Sequence, residues 1–345
     1  MLLHFLTIEK LLSFLRVREW FFSVFPLVLA GPLYSLLSKE LDYGIDRFLF
    51  LYICFGLFSA LFLAFGYLIN DFSDQEEDML AGKEKVIYDI PDSITIFIVV
   101  FLVIAGLALM AIASTFNPKV IIATLITYVI GASYSLPGIR LKTRGMLGIL
   151  CSSFAQRGMP IVLAGFLFGM AFPTTVDWVL LSLLNGIRYI LIHQMIDCEN
   201  DAKTATETFA QHHALALLKN AVRVILIVEV ILLIPSAMLP LYIANPQILV
   251  CGLLVYACIS SILYAVFFVV FGKKDLLFTY DLVPLEYCLN YFIPIAAAYT
   301  ISLSSPPFIL IALFFVFAGF PVFVSKCKNL RYVSALLQML PRIKR

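Results

Sequence analysis

Two short acidic segments, each directly after a long apolar run, hold the side chains best suited to chemistry. They are residues 70–78 (NDFSDQEED) and residues 197–201 (DCEND). Carboxylate and amide oxygens are the ligands that hard cations such as Mg²⁺ prefer, and Mg²⁺ is often bound together with phosphate groups. The two segments therefore predict a metal site that handles a diphosphate. A pair of solvated acidic loop ends is the simpler alternative.

The spacing within each segment supports a metal site. If the apolar run continues as a helix, Asn70, Asp74 and Asp78 lie four residues apart and share one face. The second segment repeats this spacing, and carboxylates packed so closely repel one another unless a cation neutralises them. The predicted metal ligands are Asn70, Asp71, Asp74, Asp78, Asp197 and Asp201.

Basic and phenolic side chains follow the same apolar runs. Lys83 lies after the first acidic segment and Lys203 after the second. Tyr134 and Lys142 bracket a loop after the fourth apolar run. A diphosphate needs cations beyond its metal ions, and Lys or Arg side chains at such a position supply them. Ordinary membrane topology also places basic residues in loops, so a single lysine there carries little weight.

The elements that must position these residues are membrane helices. The 345-residue chain is 62% hydrophobic and 13% charged, whereas soluble domains are about 25% charged. A run of about 20 apolar residues can span a bilayer as a helix. About ten such runs occur, at 20–38, 48–70, 93–115, 119–137, 146–170, 176–196, 223–243, 247–271, 285–304 and 307–325. We therefore predict an all-α polytopic membrane protein of nine to ten spans, forming one domain over residues 1–345.

Charge asymmetry predicts the orientation of this domain. With ten spans, 19 of the 24 Lys and Arg residues fall on the side that holds both termini and both acidic segments. By the positive-inside rule that side is cytoplasmic. Charges interrupt residues 1–19, which predicts an amphipathic surface helix there, and residues 326–345 form a similar basic tail. The expected surroundings are a cell or inner membrane, with no nucleic acid as partner.

A coarse repeat runs through the spans. The second and sixth spans each end in an acidic segment, and the fourth and eighth each run into a basic loop. This predicts two four-helix halves that face each other, with the two acidic segments converging over a shared central chamber. Transporters are also commonly built from repeated halves, so the repeat does not decide the function.

The chain resembles the UbiA superfamily of intramembrane prenyltransferases. The string from Asn70 to Asp78 is similar to the first aspartate-rich motif of that superfamily, and Asp197 to Asp201 is similar to the second. The stretch from Tyr134 to Lys142 resembles the loop after its fourth helix, and Arg16 near Trp20 resembles its N-terminal basic-aromatic entry. The resemblance covers about residues 10–300.

The resemblance implies a Mg²⁺-dependent transfer of an isoprenyl group from an isoprenyl diphosphate to a hydrophobic acceptor in the membrane. It also implies that the central chamber opens laterally to lipid. The catalytic residues that it indicates are Asp74, Asp197, Tyr134 and Lys142. The indicated diphosphate contacts are Arg16, Lys83, Lys142, Lys203 and Tyr134. Residues 79–85 depart from the sequence usual in quinone and haem branches, which leaves the acceptor open.

Three other functions remain open at this stage. A terpene cyclase would use the same metals without an acceptor, and a related enzyme would transfer a phosphoribosyl group to polyprenyl phosphate. A transporter fits less well, because its site would lie near the bilayer midplane. Ionisable residues inside the spans are expensive and face either a cavity or a partner. Glu229 is therefore expected to pair with Arg157 or Arg188, unless these side chains contact substrate.

Overall fold

The computed structural model describes residues 8–37, 44–80, 82, 84–203, 209–254 and 288–328. Over these residues all regular structure is helical, which confirms the predicted all-α class. In chain order the helices are α1 (Ile8–Phe14), α2 (Val17–Phe21), α3 (Phe25–Leu37), α4 (Ile45–Ser73), α5 (Gln75–Leu80), α6 (Asp92–Ala113), α7 (Pro118–Ser135), α8 (Met146–Ser153), α9 (Met159–Phe168), α10 (Phe172–Lys203), α11 (Leu215–Leu233), α12 (Leu239–Ala244), α13 (Ile293–Ser302) and α14 (Phe308–Lys328). Residues 246–254 are helical as well.

Seven helical stretches within the described residues are long and apolar enough to cross a membrane. They are Val17–Leu37, Ile45–Ser73, Asp92–Ala113, Pro118–Ser135, Met146–Phe168, Phe172–Met195 and Leu215–Ala244. They coincide with the first seven predicted spans, so the chain is an integral membrane protein. The predicted spans at 247–271 and 285–304 lie partly outside the described residues. The count of nine to ten and the two-halves arrangement remain predictions.

In the part of the chain that the structure describes, three π-helical turns interrupt the helices, and each is followed closely by a proline. The turns are Phe154–Gly158, Ile234–Met238 and Cys288–Phe292. The prolines are Pro160, Pro240 and Pro294, each the second residue of the next helix. Proline lacks an N–H, and its ring clashes with the carbonyl four residues before it. A wider turn removes that clash, so the span continues as two helical pieces.

An aromatic cluster fixes α4 against α6 and α7. The Tyr128 ring packs edge-on against Phe58, Phe62 and Phe65, with ring centroids 5.0 to 6.0 Å apart. Its hydroxyl donates a hydrogen bond of 3.0 Å to the carbonyl of Leu102 in α6. Gly106 makes room for that hydroxyl, because a Cβ there would lie 2.1 Å from the Tyr128 oxygen. This packing places the ends of α4 and α7 beside each other.

The chain divides into two compact units, residues 1–236 and 237–345. Both acidic segments belong to the first unit. The single domain over 1–345 therefore stays a prediction. At the N-terminus, residues 8–21 form two short helices that break at Arg16, and residues 1–7 lie outside the description. Most of the predicted basic tail, from residue 329 onward, is also outside it.

Candidate functional site

The first acidic segment lies where α4 ends. The helix stops at Ser73, Asp74 takes a non-helical conformation at its C-cap, and α5 begins at Gln75. The backbone N–H of Asp74 still donates to the carbonyl of Asn70 at 3.0 Å. Because the helix breaks here, the expected single face of Asn70, Asp74 and Asp78 is replaced by two side-by-side pairs.

The first pair is Asn70 with Asp74, and Lys142 joins them. Its ammonium donates to Asn70 Oδ1 at 3.4 Å and to the Asp74 carboxylate. Arg140 adds a contact of 3.2 Å to Asp74 Oδ1. The Ser135 hydroxyl, at the end of α7, donates to Asn70 Oδ1 at 2.8 Å. The loop after the fourth span is thus bound to the end of the second.

The second pair is Asp71 with Asp78, and Lys85 joins them. Its ammonium lies 2.6 Å from Asp71 Oδ1 and 2.5 Å from Asp78 Oδ2. Arg16 approaches the other oxygen of Asp71 at 3.4 Å. The Tyr88 hydroxyl donates to Asp78 Oδ2 at 2.7 Å. The carboxylates themselves are almost entirely buried, with side-chain exposures of 4% for Asp71 and 10% for Asp78.

The Tyr88 hydroxyl is a fixed donor in this arrangement. Partial burial, the hydrogen bond to Asp78 and the neighbouring negative charges all raise the pKa of Tyr88 well above its ordinary value. The phenol therefore stays protonated at any pH near neutrality. It satisfies one Asp78 oxygen without adding charge to the site.

Two of the site's four cations have an unusual backbone. Arg16 and Arg140 have φ angles of 51° and 38°, in the left-handed region that non-glycine residues rarely occupy. Arg16 lies at the break between α1 and α2, and Arg140 lies just before the 3₁₀ turn Leu141–Thr143. Strain of this kind costs on the order of 1–3 kcal/mol and is concentrated at functional sites.

A small cavity of about 140 Å³ adjoins the second pair. Its polar lining combines both signs of charge, from Arg16, Glu19, Asp71, Glu84 and Lys85. A water molecule occupies about 30 Å³ in the liquid. The cavity therefore has room for a few waters or a hydrated ion beside the Asp71 carboxylate.

The structure shows which arginine inside the spans pairs with Glu229. Arg188 Nε of α10 lies 2.8 Å from Glu229 Oε2 of α11, and both side chains are essentially inaccessible to solvent. Arg157 makes a separate set of contacts: its Nη2 donates to the Ser23 carbonyl at 3.2 Å, and its guanidinium lies 5.0 Å from the Tyr189 ring centroid. The interhelical ion pair expected for Glu229 is therefore with Arg188.

The sequence matches the UbiA prenyltransferase family over residues 23–280, which is most of the chain. The chain belongs to the UbiA prenyltransferase family. No curated protein sequence matches it.

Solved UbiA-type structures share this fold at low sequence identity. A UbiA homolog from Archaeoglobus fulgidus bound to DMAPP and Mg²⁺ is 17% identical, with a TM-score of 0.50 over 90% of this chain and 98% of that one. A structure from work on digeranylgeranylglyceryl phosphate synthase in membranes is 18% identical, with a TM-score of 0.53 over 84% and 98%. Identities this low establish the fold alone.

Several site residues of this UbiA family member were not among those predicted from its sequence. Lys85 contacts the acidic segment, whereas the predicted diphosphate contact was Lys83, which lies outside the described residues. Arg140 and Tyr88 were also missed. The sequence offers a signal for Lys85 and Tyr88, since both follow Asp78 within ten residues, but spacing in a loop does not choose among neighbouring residues.

Other predicted residues lie apart from this cluster or beyond the description. Tyr134, in the last turn of α7, hydrogen-bonds with Ser152 of α8 and lies within electrostatic range of Asp74. Residues 197–203 continue α10 as helix. The side chains of Asp197, Asp201 and Lys203 are outside the description, so their approach to the first segment remains a prediction.

The donor chemistry of the first segment fits Mg²⁺. Asn70, Asp71, Asp74 and Asp78 together offer three carboxylates and one amide oxygen, all hard ligands. Within the described residues no group of three or more His, Cys, Asp and Glu side chains is arranged to hold a metal ion, and lysine and arginine side chains contact the carboxylates instead. A metal would therefore take the place of these cations, which would then be available to a phosphate.

Proposed function

We propose that this protein transfers an isoprenyl group from an isoprenyl diphosphate to a hydrophobic acceptor within the membrane, with Mg²⁺ as cofactor. One observation carries the proposal. At the end of a membrane-spanning helix, three carboxylates of residues 71–78 contact four lysine and arginine side chains that come from three parts of the chain: the N-terminal helices, the loop after α5 and the loop after α7. A diphosphate bound with Mg²⁺ needs carboxylates to bind the metal and cations to bind the phosphate oxygens, and this cluster contains both.

In this proposal some residues of the site bind the metal and others bind the diphosphate. Asn70, Asp71, Asp74 and Asp78 would hold Mg²⁺, together with Asp197 and Asp201 of the second segment. When bound, the metal supplies electrostatic stabilisation of the departing diphosphate. Lys85 and Lys142 would move their donated hydrogen bonds from carboxylate to phosphate oxygens. Ser135 holds Asn70 in a fixed orientation by its 2.8 Å bond.

The remaining cations and the surrounding helices complete the proposed reaction. Arg16 and Arg140 approach Asp71 and Asp74 at longer distances, 3.4 and 3.2 Å, and would spread charge at the edge of the diphosphate. As the C1–O bond breaks, the allylic carbon becomes positive and the acceptor captures it. The apolar helices exclude water, which would otherwise convert that carbon to an alcohol.

The solved relatives support the choice of donor. The Archaeoglobus fulgidus homolog has been determined with DMAPP and Mg²⁺ and also with GPP and Mg²⁺. The proposal extends that class of donor to this chain. It leaves the acceptor and prenyl chain length to experiment. The excess of basic residues on the side of the acidic segments supports a cytoplasmic position for the site.

The deciding experiment measures diphosphate release by the purified protein in detergent. The donors are dimethylallyl, geranyl, farnesyl and geranylgeranyl diphosphate, each with Mg²⁺ or with EDTA, and a membrane lipid extract supplies acceptors. Release that requires Mg²⁺, together with a prenylated lipid in the mass spectrum, is the expected result. Release with only cyclised hydrocarbon would indicate a terpene cyclase, and no release with any donor would refute the proposal.

A matched pair of variants tests the assigned site. Asp74→Asn keeps the size of the side chain but removes the charge that Arg140 and Lys142 contact, so turnover should fall on the order of 100- to 1,000-fold. Glu76→Gln changes an exposed carboxylate two residues away and should leave turnover within twofold. Equal activity of the two variants would contradict the assignment.

A further inference from the structure

The buried ion pair between α10 and α11 has no part in the proposed chemistry. Arg188 Nε contacts Glu229 Oε2 at 2.8 Å and Oε1 at 3.1 Å. The side-chain exposures are 1% and 0%. Removing two charges from water in the middle of a bundle is expensive, and apolar residues of similar volume are often as stable. What an ion pair adds is a defined distance and direction between two helices.

The pair defines the rotation of α10 about its own axis. Helix α10 is continuous from Phe172 to Lys203, with 100° between successive residues. Asp197 follows Arg188 by nine residues, so its position is about 180° around the helix and about 14 Å farther along. The position of Asp201 is about 220° around. With Arg188 held toward α11, both positions of the second acidic segment lie on the far side of α10.

A close contact holds the opposite face of α10 at the same level. Gly186 lies two residues before Arg188, about 200° around the helix. A Cβ at Gly186 would be only 2.8 Å from Ser153 Cβ, at the end of α8. Helix α10 therefore packs between α8 on one side and α11 on the other. Its contact with α8 is close van der Waals packing at Gly186, and its contact with α11 includes the ion pair.

We propose that Arg188 and Glu229 are positioning residues: their ion pair sets the rotation and height of α10 and so places Asp197 and Asp201 for metal binding. The claim that Asp197 and Asp201 bind metal rests on the proposed function. The claim that the ion pair sets the rotation and height of α10 is independent of it. Breaking the pair should leave the protein folded while changing the direction in which the end of α10 faces.

The test uses the variant R188M/E229L, which replaces both charges with apolar side chains. The control is L218A, which removes buried volume from the same helix α11, at a residue 2% exposed. The first readout is the rate at which a water-soluble maleimide alkylates Cys198, quantified by mass spectrometry of its peptide. Cys198 is half-buried and directly follows Asp197 in α10, so its reactivity reports rotation of this segment.

In R188M/E229L we expect the Cys198 alkylation rate to change at least threefold and the Mg²⁺ concentration for half-maximal diphosphate release to rise about tenfold. In L218A we expect both values to stay within twofold of wild type, with a lower melting temperature. An exchanged pair, R188E/E229R, should return both values toward wild type, and it serves as the second variant if the apolar one does not fold.

Two results would overturn the positioning role. One is a Cys198 rate in R188M/E229L within twofold of wild type, and the other is an equal change in L218A. Absence of diphosphate release from the wild-type protein would instead refute the proposed function. The Cys198 rates would still decide whether the ion pair orients α10.

Discussion

Substitution of Lys85 by methionine separates the two roles proposed for the cations at the acidic segment. Lys85 donates charge-assisted hydrogen bonds to Asp71 at 2.6 Å and to Asp78 at 2.5 Å, and its side chain is only 19% exposed. Such bonds contribute about 1.5–3 kcal/mol each. If one of them passes to the donor diphosphate, its loss lowers kcat/KM by about 10- to 100-fold, since 1.4 kcal/mol is a factor of ten.

The same substitution should have the opposite effect on the metal. Without the ammonium, Mg²⁺ no longer competes for the Asp71 and Asp78 oxygens. Mg²⁺ binding in the absence of donor should therefore tighten by about tenfold, which corresponds to roughly one lost competing bond. Diphosphate release gives kcat/KM, and titration calorimetry gives the Mg²⁺ affinity.

The control for K85M is K119M, at an exposed lysine near the start of α7, which should match wild type in both measurements. Two findings would refute the reasoning. The first is a kcat/KM for K85M equal to that of K119M. The second is weaker Mg²⁺ binding than wild type, which would mean that Lys85 organises the carboxylates for the metal rather than competing with it.

Two further predictions concern stability. Folding raises the pKa of Tyr88, so the contribution of its hydroxyl to the free energy of unfolding is constant below the unfolded pKa of about 10 and is lost as the pH rises above that value. Between pH 10 and pH 11 the melting temperature of Y88F should therefore fall less than that of wild type. Gly106→Val puts a Cβ where the Tyr128 hydroxyl lies and should cost about 1–3 kcal/mol, read as a lower melting temperature, whereas G66A, at a glycine with open space around it, should cost less.

The sequence was sufficient for the helical class and the first seven spans, because about 20 apolar residues in a row have one stable arrangement in a bilayer. It also predicted Asn70, Asp71, Asp74 and Asp78 as metal ligands and Lys142 and Arg16 as diphosphate contacts. The structure brings these six side chains together, and their roles stay predictions. These contacts follow from residue type and from which ends of the spans share a side of the membrane.

The spacing of these residues in the sequence could not predict which of their side chains pair with each other. A regular helix would carry Asn70, Asp74 and Asp78 on one face, but α4 ends at Ser73, and Asp78 in α5 shares Lys85 with Asp71. The same limit applies to Lys85 and Lys83. Both follow the acidic segment in a stretch of sequence without a helical or strand pattern, so no periodicity predicts which side chain contacts the carboxylates. Glu229 had two possible partners for a similar reason, since only packing distinguishes Arg188 from Arg157.

The left-handed backbones of Arg16 and Arg140 bear on how this sequence changes over evolutionary time. Glycine adopts those φ angles without strain, so random substitution that favoured stability alone would tend to replace both arginines with glycine. We therefore predict that relatives of this chain that keep the site also keep arginine at both positions, and that glycine appears at both only where the two charges are no longer needed.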